Sequence, residues 1–151
     1  MASFNDTLTL SDDVRLGMGN CAVVATSIFC NVPYSVVEQG YREIVKSGVW
    51  RKDSGKSWGN PSKPKSFGLY DDEIRAGLRK FNKRRSVTFK FAGTLNQFVR
   101  SGAKHGVRYL VVTTRHAQTL QNGVVVDQGV ARPIEEFWGK GKQVRFIVAL
   151  K

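Results

Sequence analysis

Four side chains in this sequence could supply thiol or imidazole chemistry: Cys21, Cys30, His105 and His116. Cys21 opens an apolar stretch that follows Gly17-Met18-Gly19-Asn20. If Asn20 caps a helix, Cys21 occupies the first turn. There the helix dipole and the unpaired backbone N–H groups stabilise a thiolate and lower a thiol's pKa. The same N–H groups are placed to hold an oxyanion. Cys30 would lie about 13.5 Å further along the axis and on the opposite face, so it cannot form a disulfide with Cys21. It reads as a small buried hydrophobe.

A base for the thiol comes from the second half of the chain. Asn122-Gly123 separates two apolar runs, a strong signal for a two-residue hairpin loop. With those two residues as the loop, position 121 pairs with 124, 120 with 125 and 118 with 127. His116 and Asp127 then project from one face as diagonal neighbours, roughly 7–8 Å apart at the backbone. That spacing lets a carboxylate orient an imidazole. A three-residue loop would reverse the parity and turn Asp127 to the other face. Taken singly, each residue has an ordinary structural reading. Their joint placement points to a Cys–His–Asp set, in which the thiol gives its proton to the imidazole and the carboxylate fixes tautomer and orientation.

The elements that must position these residues follow from periodicity. A first helix begins near Asn20, with Val24, Ala25, Ile28 and Phe29 apolar. A second, about 35–47, follows the Asn31-Val32-Pro33 break and carries Val37, Tyr41, Ile44 and Val45 on one face. The spacing predicts a third over 71–81. There Asp71, Asp72 and Glu73 suit the positive end of the dipole, and Arg79 and Lys80 the negative end. After residue 86 the period shortens. A strand over 87–91, a short helix over 94–101 and strands over 107–120, 124–128 and 143–150 are expected, with a helical turn starting at Pro133. Tyr109–Val112 is apolar on both faces, which suits a central strand. A helical first half followed by an antiparallel sheet is an α+β layout.

Asn20-Cys21 opening a helix, followed by Tyr109-Leu110-Val111-Val112, Arg115-His116-Ala117 and Asn122-Gly123-Val124-Val125-Val126-Asp127, resembles the papain-like cysteine peptidase superfamily. The pattern is most similar to the small papain-like proteins of tailed bacteriophages. The resemblance covers about 15–30 and 94–130 and leaves out the basic middle. It implies a papain-like fold, with N-terminal helices packed on a C-terminal antiparallel sheet. It also implies Cys21 as nucleophile, His116 as general base and acid, and Asp127 as the orienting residue. The implied activity is cleavage of a peptide or isopeptide amide through a thioester acyl-enzyme. Papain-like enzymes carry a glutamine about six residues before the nucleophile as an oxyanion donor. Arg15 stands at that position in this chain, with Asn20 and Gln118 as further candidates for oxyanion support.

The charge bears on partners. The chain has 151 residues, a length suited to one domain, and a formal charge of +12. Residues 51–85 contribute eleven Lys and Arg against four Asp and Glu. Within them 51–68 lacks apolar periodicity and reads as a long mobile loop, rich in glycine, proline and serine. Lys52, Lys56, Lys63 and Lys65, with Trp58 among them, are candidate partner-binding residues. The plainer reading is a solvated insertion. The sheet has no basic, aromatic-lined face of the kind that reads bases. The expected partner is therefore an acidic protein or peptide substrate, such as a host protein, ahead of nucleic acid. The alternative function is a catalytically inactive papain-like protein that binds an acidic host protein or nucleic acid through this basic surface.

Other chemistries find little support. The cysteines and histidines lack zinc spacing, so no metal is expected. Gly17-Met18-Gly19 is too short for a phosphate-binding fingerprint, and no cofactor is expected. Lys83-Arg84-Arg85 follows a helix end, where basic residues have a local role. Trp50, Trp58 and Trp138 are too scattered for an aromatic platform. No signal-like leader and no run of 18 apolar residues is seen, so a cytoplasmic, non-membrane protein is expected. For a phage-encoded protein that means the host cytoplasm, with the virion as the second location.

Overall fold

Helix α1 (Cys21–Cys30) is the centre of the helical half, and Ala22 through Phe29 are all buried. The sequence suggests a single apolar stripe, yet this helix is covered on every side, as expected of a helix apolar all round. The computed structural model describes residues 20–50, 68–128 and 130–150. Arg15, Lys52, Lys56, Trp58, Lys63 and Lys65 lie outside the described residues, as does the expected basic loop apart from Gly68.

Helices α2 (Tyr34–Lys46) and α3 (Asp71–Phe81) pack on one side of α1. α2 buries Val37, Tyr41 and Val45 on the expected stripe, and α3 has the expected bounds. The side chain of Glu73 accepts the Tyr70 backbone N–H at 2.8 Å, closing a capping box at the start of α3. α2 and α3 approach closely because two glycines face aromatic rings. A Cβ on Gly77 would fall 2.3 Å from the Tyr41 ring, and one on Gly40 would fall 2.1 Å from that of Phe81. Tyr41 in turn shares a 2.7 Å hydrogen bond with Thr26 on α1.

The other side of α1 packs on an antiparallel sheet. Its strands are β1 (Ser86–Phe89), β2 (Arg108–Thr113), β3 (His116–Gln121), β4 (Val124–Asp127), β5 (Val130–Pro133) and β6 (Val144–Leu150). Their spatial order is β1-β6-β2-β3-β4-β5. β2 is central and buried along its whole length, as the apolar Tyr109–Val112 run requires. Leu110, Val112, Phe146 and Val148 face α1 and α3. Tyr109, Val111 and Ile147 face the opposite way, towards α4 (Leu95–Ser101) and a short 3₁₀ turn at Ile134–Glu136. The architecture is α+β, with four helices and a six-stranded antiparallel sheet among the described residues. No helix among them is long and apolar enough to cross a membrane.

Three expectations need correction. The strand expected over 107–120 is two strands, β2 and β3, joined by a tight turn at Thr114-Arg115. Arg115 takes a left-handed φ of 58° there, and no glycine, proline or asparagine marks the bend. β5 has no counterpart among the expected strands. It is a four-residue edge strand, exposed throughout and ending in Pro133, which an edge position tolerates. Asn20 precedes α1 but makes no side-chain cap. It is fully buried, and its amide donates instead to the Tyr34 hydroxyl at the start of α2.

Candidate active site

The hairpin register carries the site. Asn122 and Gly123 both have positive φ, 53° and 75°, the pair that a type I′ turn demands. Gln121 pairs with Val124, Leu120 with Val125 and Thr119 with Val126, the expected two-residue loop. The parity that follows brings His116 at the start of β3 to Asp127 at the end of β4. His116 Nε2 is hydrogen-bonded to Asp127 Oδ1.

Cys21, the first residue of α1, completes the set. Cys21 and His116 line one open cleft of about 870 Å³, and the thiol is near enough to raise the pKa of the imidazole. With Nε2 on Asp127, Nδ1 is the ring nitrogen left to meet the thiol. Burial of the imidazole acts to lower its pKa. The hydrogen bonds from Asp127 and Cys21, and the charges of both, outweigh that and raise it from 6.5 to about 9. The ring therefore holds its proton through neutral pH.

Asp127 is buried and held from two sides. While Oδ1 meets His116, the indole N–H of Trp138 donates to Oδ2 at 3.0 Å. The Trp138 ring lies 4.9 Å from the imidazole, and Phe137 backs both rings from below at 5.2 and 6.4 Å. Lys142 Nζ sits 4.9 Å over the outer face of the indole. Trp138 stands eleven residues beyond Asp127, with β5 and a 3₁₀ turn between them, so no local spacing pairs the two. The signal in the sequence is the adjacent aromatic pair Phe137-Trp138 after the helical turn.

The oxyanion candidates fare differently. The first backbone bond of α1 runs from Val24 N–H to Asn20 C=O, so the N–H groups of Cys21 and Ala22 have no partner within the helix. Cys21 and Ala22 both line the cleft. Asn20 and Gln118 do not: Asn20 braces α2, and Gln118 is buried with its amide donating to the Val111 carbonyl at 2.6 Å. Gln118 shares the strand face of His116 but lies deeper under the sheet. Cys30 sits at the far end of α1, where burial pushes its thiol up to about 12. Among the described residues no three His, Cys, Asp or Glu side chains converge to hold a metal ion.

The cleft also carries charged side chains. Arg115, Lys90, Arg75 and Arg145 line it together with Asp71 and Asp72. Both carboxylates are paired, Asp71 with Arg145 at 2.8 Å and Asp72 with Arg75 at 3.1 Å. Arg115 and Lys90 have no ion-pair partner among the described residues, so the cleft carries surplus positive charge beside Cys21.

Fold and site together define an α+β protein with a helix-opening cysteine set against a strand-borne His–Asp pair. Comparison with protein-family models, with curated proteins and with solved structures finds no match.

Proposed function

We propose that this protein is a papain-like cysteine hydrolase, phage-encoded and acting in the host cytoplasm, that cleaves a peptide or isopeptide amide. The observation that carries the reading is the hydrogen-bonded His116–Asp127 pair set beside Cys21, with Cys21 and His116 lining one cleft. In this reading the proton already rests on His116 when the Cys21 sulfur attacks the amide carbon. Negative charge develops on the carbonyl oxygen, where the Cys21 and Ala22 N–H groups at the end of α1 can meet it. The C–N bond then breaks, and the imidazolium gives its proton to the departing amine. A thioester remains on Cys21. Water attacks it, His116 takes the water's proton, and the C–S bond breaks to release the acid and restore the thiol.

The fold class and the order of nucleophile, histidine and aspartate support the papain-like assignment. The basic cleft supports an acidic substrate, such as a host protein. The experiment is alkylation at neutral pH with an electrophilic probe, read by mass spectrometry. Cys21 should be modified well before Cys30, and His116→Ala should abolish that preference. Equal modification of the two cysteines, or none, would remove the hydrolase reading. The inactive binding protein would then be left as the reading to pursue.

A further inference from the structure

A second basic hollow adjoins the cleft and is not used by the Cys–His–Asp set. It lies between α3 and the β1 edge of the sheet, with a volume of about 330 Å³. Arg75 and Arg79, one helical turn apart on α3, form one wall, and Arg84 closes the end between α3 and β1. The floor is the sheet. In the β1–β6 register Ser86 pairs with Leu150 and Thr88 with Val148, so both hydroxyl residues face the helix side. α3 does not reach far enough to cover them, and both are exposed. Among the described residues no carboxylate lines this hollow.

Arg75 joins the two spaces, since it lines the hollow and the cleft alike. Its guanidinium is fixed 4.2 Å over the Phe146 ring and by its bond to Asp72. Arg79 is exposed and has no ion-pair partner among the described residues. A chain leaving the cleft past Arg75 would meet two more guanidinium groups and two hydroxyl donors. Carboxylate side chains match that array through forked arginine contacts.

We infer that the groove between α3 and β1 is an exosite for an acidic segment of the polypeptide substrate, lying next to the bond presented to Cys21. The inference rests on the hydrolase reading only for the identity of the bound chain as a polypeptide. Charge alone would also admit nucleic acid. The continuity through Arg75 with a site suited to amide chemistry favours the peptide.

The test measures binding without turnover. The full chain carrying Cys21→Ala is titrated against a fluorescein-labelled peptide of alternating Glu and Gly, and anisotropy is read. Arg79→Gln with Arg84→Gln should weaken binding at least about tenfold. Arg100→Gln with Lys104→Gln removes the same charge from exposed positions near the end of α4 and should change it less than about twofold. Arg84→Gln alone, outside any helix, should still weaken binding about threefold if the double variant proves unstable. Equal weakening by both pairs, or no binding of the peptide, overturns the exosite. Tighter, Arg79- and Arg84-dependent binding of a single-stranded DNA oligonucleotide of equal charge would overturn it in favour of a nucleic-acid groove. A Cys21 that resists alkylation in a chain that binds the peptide through Arg84 would sink the hydrolase reading and leave the groove standing.

Discussion

The indole N–H of Trp138 donates to Oδ2 of Asp127 at 3.0 Å, so the carboxylate that orients His116 is itself held by a side chain from outside the sheet. Asp127 ends β4, and the chain must pass through the exposed β5 edge before returning with Trp138. A carboxylate bonded on one oxygen alone could rotate about its side-chain bonds. Bonded on both, it presents Oδ1 to the imidazole in one orientation. Trp138→Phe keeps the ring over His116 and removes the donor. The expected result is a fall of about tenfold in the rate of Cys21 alkylation, roughly 1.4 kcal/mol, with little change in melting temperature. An unchanged rate would show that the indole only covers the histidine.

The imidazole makes stability depend on pH in a stated direction. Folding raises the His116 pKa from 6.5 to about 9, against the pull of its own burial. The protonated ring therefore stabilises the fold fully below about pH 6.5, and that contribution disappears as pH rises through about 9. A shift of that size corresponds to about 3 kcal/mol. Urea denaturation at pH 6 and at pH 9.5 should show a loss of that order in the wild type. Asp127→Asn removes the leading cause of the rise and should flatten the difference. A pH-independent midpoint for the wild type would contradict the assigned geometry.

The alkaline limb of hydrolysis provides a separate reading of the same group. Below about pH 9 the imidazolium can protonate the leaving amine, and above it that proton is missing. Turnover of an acidic peptide substrate should fall with an apparent pKa near 9, and in Asp127→Asn the limb should move to lower pH. A limb that stays in place in Asp127→Asn would assign it to another group.

Local signals made much of this legible. The bounds of α3 followed from Asp71 to Glu73 at one end and Arg79 and Lys80 at the other, because capping and dipole effects act within a turn. Asn122-Gly123 gave the register, and parity then placed His116 with Asp127 across eleven residues. What escaped depended on contacts distant in sequence. The Thr114-Arg115 turn has no turn-forming residue, and the Lys142 Nζ bond to the Thr114 carbonyl at 3.1 Å comes from 28 residues on, just before the neighbouring β6. Asn20 suits a cap on α1 by its type, but its side chain is buried with its amide donating to the Tyr34 hydroxyl of α2, a partner fourteen residues away. Trp138 joins the site only through β5, a four-residue strand too short to show a period.

The support beneath α1 can be tested at Gly77. Alanine there would ordinarily favour the helix by about 1 kcal/mol. Its Cβ would instead fall 2.3 Å from the Tyr41 ring, which is fully buried and hydrogen-bonded to Thr26 of α1. The ring has no open space to enter, so α2 and α3 must separate. Gly77→Ala should destabilise the protein by about 1–3 kcal/mol in urea titration. A stabilised variant would mean that the two helices are not held at this contact.

Loop length offers the sharpest test of the site, because one residue decides which face Asp127 occupies. Inserting a single glycine between Asn122 and Gly123 lengthens the loop and, if β4 keeps its pairing alternation, turns Asp127 away from His116. The same flip would expose Val125, which is fully buried, so the strand can answer in either of two ways. It can flip and destabilise the sheet, or it can absorb the residue as a bulge and keep the native faces. Melting temperature separates the two. In the flipped case both stability and preferential alkylation of Cys21 fall, the latter by at least about a hundredfold if His116 needs its carboxylate. In the bulged case both are retained. Full reactivity in a chain whose stability shows the flip would mean that Asp127 has no part in activating Cys21.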